Sequence, residues 1–490
     1  MLVPPFRFFL LKSLPEAKGG SQQILTFLIV FPIMSAMKPT PSQLNLPLPN
    51  LDSTEPLEKN QRYVNNVYSN RIAPHDRAFH DWYRFVLSFP PHLVTKYIEN
   101  FGLDRRNVVL DPFCGTGTTL VEAKRHGIRA MGVEANVFAH FASSVKVDWK
   151  VDPNSLKKGA QDIKDSTLEL LKAEGIDDNS PLRVWAKGIP LRTLDSEAEK
   201  LLLSNSISPV PLHKALILLE CLREHQHELY FRHALLALAK TLVFRISNLH
   251  FGPEVGVGKP RIDVPVVASW MSEIDKIVND LRLVRDRSFP NAEVFLGDSR
   301  NISKIIRADP VDAVITSPPY PNEKDYTRTT RLESVVLGFI KSKAELREMK
   351  KNFIRSNTRG VYKDDEDDKW VAGHPQIQRI AESIEKRRKE LGKDSGFERL
   401  YGKVTKLYFG GIARHLADLR SVLRSGAKLA YVVGDQASYL RVKIQTGQLL
   451  AEIAQALGYE LVRIDLFRTR YATATKEQLR EEVVVLRWDG

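Results

Sequence analysis

Residues 312–320 read Asp-Ala-Val-Ile-Thr-Ser-Pro-Pro-Tyr, an apolar run that ends in a serine, two prolines and a tyrosine. Consecutive prolines fix φ and remove two backbone donors, so the groups of Ser317, Pro318, Pro319 and Tyr320 are held in place without ladder partners. A serine hydroxyl and a main-chain carbonyl accept hydrogen bonds from an exocyclic NH2 group, and a tyrosine ring stacks on a planar base. The run therefore suits a pocket for a flat aromatic amine. Such an amine is a poor nucleophile, because its lone pair is delocalised into the ring. Accepting both of its N–H hydrogens draws the nitrogen toward a tetrahedral shape and aims the lone pair at an electrophile. That chemistry needs no thiol, and Cys114 reads as a small buried filler.

Two hundred residues earlier, Val108-Val-Leu-Asp-Pro-Phe-Cys-Gly-Thr-Gly-Thr-Thr-Leu120 carries a β-branched strand into a glycine loop and then a helix. A strand, a Gly115-x-Gly117 turn and a helix bring backbone N–H groups close to a cofactor. Glu134, at the end of the next strand Arg129-Ala-Met-Gly-Val-Glu134, is placed to hold ribose hydroxyls. The third glycine of the dinucleotide fingerprint is absent, since Leu120 stands there, and no Gly-Lys-Ser/Thr follows to hold a triphosphate. Alone, the loop is a tight turn and the Pro-Pro-Tyr run a polyproline-type segment. Together, each at the C-terminal end of an expected strand, they fall where open α/β sheets bind ligands.

Asp111-Pro112-Phe113-x-Gly115-x-Gly117-Thr118-Thr119 with Thr316-Ser317-Pro318-Pro319-Tyr320 resembles the S-adenosylmethionine-dependent DNA amino-methyltransferases, most closely the cytosine-N4-specific members. The resemblance implies that the glycine loop, through Asp111, Pro112, Phe113, Gly115, Gly117 and Thr118, holds S-adenosylmethionine, with Glu134 on its ribose. It implies that Thr316 flanks the cofactor and that Ser317, Pro318, Pro319 and Tyr320 hold the target base. Phe79 to Val94 looks like the family's segment that packs a helix beside the cofactor, with Phe89 and Pro90 among the contacts and proline in its favoured first-turn position. Val294-Phe-Leu-Gly-Asp298-Ser299 is similar to the strand whose acid reads the cofactor's adenine amine. The implied partner is double-stranded DNA with one base flipped, and a cognate restriction endonuclease is a candidate second partner. Serine at the first position goes with cytosine N4 in the family, and aspartate or asparagine with adenine N6. Adenine-N6 transfer stays open as the first alternative, followed by guanine-N2 transfer to RNA and then by an inactive DNA-binding subunit. The first hundred residues hold no evident RNA-binding module.

The elements that must position these groups follow from short β-branched runs bounded by turn residues, at about 108–111, 129–134, 293–298, 312–316, 427–434, 459–467 and 481–488. Seven strands with helices between them imply an α/β fold: a doubly wound, mostly parallel, Rossmann-like sheet, with the last two strands as an antiparallel edge pair. A helix over Gly411 to Leu423 precedes the fifth strand. The catalytic domain is expected to span 57–150 and 291–490. Residues 151–290 are helical in pattern and form an insertion, read as target recognition or as a lid, within which the glycine-rich, basic loop Asn248 to Arg261 is a candidate nucleic-acid contact. Residues 341–400 form a second, charged insertion after the base loop. With Arg328 and Arg331 it is expected to grip the DNA backbone, its acidic run Lys363 to Lys369 lying on the surface.

Composition agrees. The 490 residues carry 72 Lys and Arg against 59 Asp and Glu, a formal net charge of +13 that suits a polyanionic partner. Two cysteines exclude a disulfide framework, no Cys/His spacing suggests a metal site, and the expected compartment is the reducing cytoplasm. The apolar run Ile24 to Met34 is shorter than the ~20 residues that span a bilayer. Residues 1–56 are expected to be a poorly ordered extension and linker, with Met34 or Met37 as alternative starts and a signal peptide as the lesser reading.

Overall fold

The computed structural model describes residues 72–85, 88–179, 190–252, 254–306, 310–472 and 476–490. The expected N-terminal extension and linker lie outside the described residues. In chain order the strands are β1 (Val108–Asp111), β2 (Arg129–Glu134), β3 (Leu249–Phe251), β4 (Val255–Val257), β5 (Ala292–Leu296), β6 (Val311–Thr316), β7 (Leu423–Gly434), β8 (Glu460–Ala472) and β9 (Glu477–Trp488). All but β3 and β4 form one sheet in the order β5-β2-β1-β6-β7-β9-β8. The pairings from β5 to β7 are parallel, while β9 runs antiparallel to both β7 and β8. This is the doubly wound α/β sheet expected from the strand pattern, with the antiparallel pair at its edge.

The wide spacing of parallel strands in sequence demands helical crossovers, and both sheet faces are covered. One face buries Val109, Ala313, Ile315, Val432 and Val485 against α1 (Pro91–Phe101), α2 (Thr118–Arg125) and α3 (Val137–Lys146). The same cluster takes in α4 (Pro153–Ala173), α6 (Pro209–Glu224), α7 (Phe231–Thr241) and α8 (Val267–Val284), so the long helical insertion shares the main core; the short α5 (Ser196–Glu199) joins α4 to α6. The other face buries Leu110, Val314, Leu429, Tyr431 and Val484 beneath α11 (Pro375–Glu390), α12 (Tyr401–Leu419) and α13 (Thr446–Ala456). Each fully buried Val or Leu of this kind contributes roughly 1.5–3 kcal/mol. Two shorter helices, α9 (Arg331–Val336) and α10 (Lys343–Lys351), follow the β6 loop.

Local chemistry explains the boundaries. Helix α1 opens on Pro90 and Pro91, buries Leu93, Val94, Tyr97, Ile98 and Phe101 along one stripe, and stops at Gly102 (φ 66°), whose N–H caps the carbonyls of Ile98 and Glu99. The helix expected over Gly411 to Leu423 starts ten residues earlier, at Tyr401, because Val404, Leu407 and Tyr408 extend its buried stripe. It ends at Leu419, leaving 420–422 as a single 3-10 turn before β7. Strand β7 begins at Leu423 rather than 427 and absorbs the turn at Gly426 (φ 84°). The loop expected within the long insertion is a two-stranded ribbon, β3–β4. Among the described residues no helix is long and apolar enough to cross a membrane.

Candidate active site

Strands β1 and β6 are neighbours, yet the chain winds outward from β1 to β2 and β5 before returning to β6 on the other side. Adjacent strand ends of this kind open a crevice. Here their last residues are bonded to each other: the Thr316 hydroxyl donates to Asp111 Oδ1 at 2.5 Å, and the Thr119 hydroxyl donates to the Ile315 carbonyl at 3.0 Å. The two sequence motifs, nearly two hundred residues apart, are thus joined at one point. The glycine loop beside them turns through left-handed conformations at Gly115 (φ 51°) and Gly117 (φ 79°). A Cβ on Gly117 would also come within 3.0 Å of Ser143 Cβ. Beneath the loop, the fully buried Lys146 ammonium donates to the Thr116 carbonyl at 2.7 Å. Burial pulls its pKa down to about 7. Lys146 has no sequence signature; it lies on α3 and is brought to the loop only by the fold.

Phe89, Phe113, Gly115, Thr118, Glu134, Asp298 and Ser317 through Tyr320 line one cleft of about 620 Å³, within the usual range for small-molecule sites. Pro90, Asp111, Pro112, Gly117 and Thr316 stand behind its wall: Pro90 at the start of α1, Gly117 at the start of α2, and Pro112 accepting a hydrogen bond from the Ser299 hydroxyl. At the glycine-loop end, Glu134 accepts from the backbone N–H of Gly115 through one oxygen (2.8 Å) and of Asn136 through the other (2.7 Å). Burial lifts its pKa to about 7 and that of Asp111 to about 6. Asp111 Oδ2 is buried without any partner.

Asp298 is held differently. Its carboxylate takes the Nε and Nη2 of Arg300, whose Nη1 donates to Asp367 at 2.6 Å and whose Nη2 also reaches the Lys351 carbonyl. Asp367 belongs to the acidic run expected to lie on the surface. It is buried instead, pairing also with Arg414, and its neighbour Asp365 grips Arg355 in a two-pronged ion pair. Unpaired charge cannot be buried, and these arginines draw the carboxylates inward. The sequence reading missed the Arg300–Asp367 pair that holds Asp298, because an ion pair across 67 residues leaves no local pattern.

At the other end, the Ser317 hydroxyl donates to the Val432 carbonyl at 3.1 Å. The Tyr320 N–H donates to Tyr326 Oη at 3.1 Å, and the Tyr320 ring lies over Gly434, where a Cβ would meet its Cε2 at 3.1 Å. Asn352, Phe353, Ile354 and Ser356 of the charged insertion and Gln436, Phe467, Arg468, Arg470 and Glu481 complete this wall. None carried a motif. Arg328 is partly exposed and faces Glu254 at 3.6 Å. Arg331 spends its guanidinium internally, on the Thr327 hydroxyl and the Leu201 carbonyl.

A Rossmann-like sheet whose switch-point crevice joins a glycine loop and a strand-end acid to a rigid Ser-Pro-Pro-Tyr turn has the architecture of a methyltransferase. Residues 34–141 match the family described as DNA methylase. The chain is similar to the Type II methyltransferase M.BsoBI of Geobacillus stearothermophilus, at 24% identity over 463 residues covering 85% of each protein. It is also similar to the Type II methyltransferase M.AvaI of Nostoc sp., at 22% identity over 449 residues and 86% of each. A tRNA (guanine(10)-N2)-dimethyltransferase of Methanothermobacter thermautotrophicus matches at 27% identity over 128 residues, 26% of this chain and 30% of that one. These matches support the DNA amino-methyltransferase family, and with it S-adenosylmethionine as the cofactor. The residues present fit that group: Glu134 keeps a spare lone pair on each oxygen for ribose hydroxyls, and the loop offers backbone at Gly115 without a side chain in the way.

Proposed function

We propose that the protein transfers a methyl group from S-adenosylmethionine to the exocyclic N4 amine of a cytosine flipped out of double-stranded DNA. The observation that carries this reading is the Ser317 hydroxyl, whose only proton is committed to the Val432 carbonyl, in the same cleft as Gly115 and Glu134. Its oxygen is thereby left as an acceptor toward the cleft, the role an amine N–H requires. Bound S-adenosylmethionine supplies an electrophilic methyl group on a positively charged sulfur. Ser317 and the Pro318 carbonyl accept the two amine hydrogens and localise the nitrogen lone pair; Tyr320 stacks on the base and recovers part of the few kcal/mol spent in unstacking it. Serine rather than aspartate before Pro-Pro supports cytosine over adenine through the family resemblance.

The test is to incubate the protein with methyl-labelled cofactor and DNA, digest to nucleosides and identify the labelled base. N4-methylcytosine is expected. N6-methyladenine would overturn the base assignment, and no transfer to any DNA would overturn the enzymatic reading in favour of a binding subunit. The partial similarity to a tRNA guanine-N2 enzyme favours one further control, the same assay on transfer RNA, where the reading requires no label.

A further inference from the structure

Two cations on the base-end wall are under-matched among the described residues: Lys324 has no ion pair, and Arg470 has only a long one, to Glu481 at 3.8 Å. Lys324, four residues beyond Tyr320, lines the cleft on a backbone fixed at both ends: its N–H donates to Asn322 Oδ1 at 3.2 Å and its carbonyl accepts from Asn357 Nδ2 at 3.1 Å. Its ammonium has no hydrogen bond or ion pair among the described residues. Arg470, on β8, lines the same wall and donates from Nη2 to the Asp435 carbonyl at 2.7 Å. Its Nε is buried without an acceptor, with Glu481 Oε1 3.8 Å away.

The neighbouring acids are otherwise engaged. Glu481 is held by Arg468 at 2.5 Å, Glu254 faces Arg328, and Glu323 accepts from the Thr358 N–H and hydroxyl. Burial, and after it the charge of Arg470, lowers the pKa of Lys324 against the smaller opposing pull of Glu254 and Glu481, so the two cations sit in each other's field. Like charges partly withdrawn from water, one of them without an ion pair and the other held only by a long pair to a carboxylate already engaged by Arg468, form a site for an incoming anion. Glu481 and Tyr320 both pack against Gly434, which puts this wall beside the ring that the base would stack on.

We propose that Lys324 and Arg470 bind a phosphodiester of the target nucleotide inside the cleft, next to the stacked base. This rests on the reading of the cleft as the pocket for a flipped nucleotide. It makes the recognised unit a nucleotide with its backbone, held from within, and it separates these two cations from Arg328 at the rim.

The experiment uses the full-length protein and a DNA duplex bearing one site that it modifies, with a neutral methylphosphonate placed at the phosphate on either side of the target nucleotide in turn. One of the two replacements should weaken wild-type binding on the order of tenfold, as loss of a charged hydrogen bond does. The Lys324→Gln/Arg470→Gln protein should bind the unmodified duplex about as weakly and lose nothing more on methylphosphonate substitution. Its log–log salt slope should be shallower by about 0.9, one phosphate contact. Its affinity for S-adenosylhomocysteine should be that of wild type, which separates the effect from misfolding; if the double variant fails that control, Lys324→Gln alone is carried through the same cycle. Wild-type binding indifferent to both replacements, or a variant as sensitive to them as wild type, overturns the phosphate site. Methyl transfer to the unmodified duplex is read separately and tests the enzymatic reading itself.

Discussion

The two ends of the cleft are built from opposite materials. The cofactor end draws on segments that are short and close in sequence, the strand ends of β1 and β2 and the glycine loop between them, and its carboxylates Asp111 and Glu134 bond to backbone and hydroxyl groups without a cation in contact. The base end gathers residues from 317–326, 352–356, 432–438 and 467–481, and there the cations Lys324, Arg468 and Arg470 stand among the carboxylates Glu254, Glu323 and Glu481. In the proposed function the contrast follows from what each end would receive. Ribose hydroxyls and a sulfonium need acceptors, and backbone N–H groups at a loop can be aimed by local geometry alone. An extruded nucleotide brings an amine, a flat face and a phosphate at once, and no single stretch of chain can meet all three.

One residue bridges the two ends, and removing it should have the largest effect. Arg300→Met leaves the buried Asp367 and the partly buried Asp298 with their shared guanidinium gone, which by the usual measure of broken buried ion pairs costs roughly 3–5 kcal/mol. Thermal unfolding should show a large drop, and where the protein still folds, cofactor affinity should fall while the salt slope of DNA binding does not move. A shallower slope would mean that the insertion carrying Asp367 serves the nucleic acid as well. Next in size, Ser317→Ala removes the acceptor proposed for the amine and should lower the rate of methyl transfer by about 10²–10³, the scale seen when a transition-state hydrogen bond is deleted. Cofactor affinity should be unchanged. An equal loss in both would show that the two ends do not act separately.

The same contrast accounts for what could be read without coordinates. The seven strands were legible because each is a β-branched run closed by turn residues, and the meeting of the loops at Gly115 and Pro318 followed from the rule that such sheets bind ligands at strand ends. Thr316 and Asp111 then proved to be bonded to each other. What stayed hidden depends on contacts across long separations. The acidic run at 363–369 has the composition of a solvated face, and only the approach of Arg300, Arg355 and Arg414 turns Asp365 and Asp367 inward. Lys146 sits in an ordinary amphipathic helix until the fold sets it under Thr116. Arg331 reads as a free cation in a basic stretch, yet its Nη1 and Nη2 donate to the Leu201 carbonyl and the Thr327 hydroxyl.

Gly434→Ala probes the base end more gently. The new methyl would lie 3.1 Å from both Tyr320 Cε2 and Glu481 Cγ at the end of β7, and overpacking of this kind costs typically ~1–3 kcal/mol. The displaced ring should raise KM for DNA, with cofactor affinity as in wild type. A variant whose DNA KM is unaffected would show that Tyr320 does not set the base position.

The smallest expected effect belongs to the cofactor end and is a matter of protons. Glu134 accepts one backbone N–H on each oxygen, so its ionised form satisfies both bonds, while a proton on either oxygen would face a donor. Burial nonetheless outweighs those bonds and lifts its pKa from the ordinary 4.5 to about 7. The native protein therefore binds more protons at this group than the unfolded chain does between those two pH values, and through linkage its contribution to stability declines as pH rises across that window. Cofactor binding should have the opposite trend, strengthening as pH rises through about 7, because the carboxylate is the better acceptor for ribose hydroxyls. Titrating S-adenosylhomocysteine affinity from pH 5.5 to 8.5, roughly one and a half units either side of that pKa, should show this rise in wild type and a flat profile in Glu134→Gln. A slope that persists in the variant would move the proton to Asp111, whose pKa burial also raises, and would make the orphaned Oδ2 of that residue the group that answers to the cofactor.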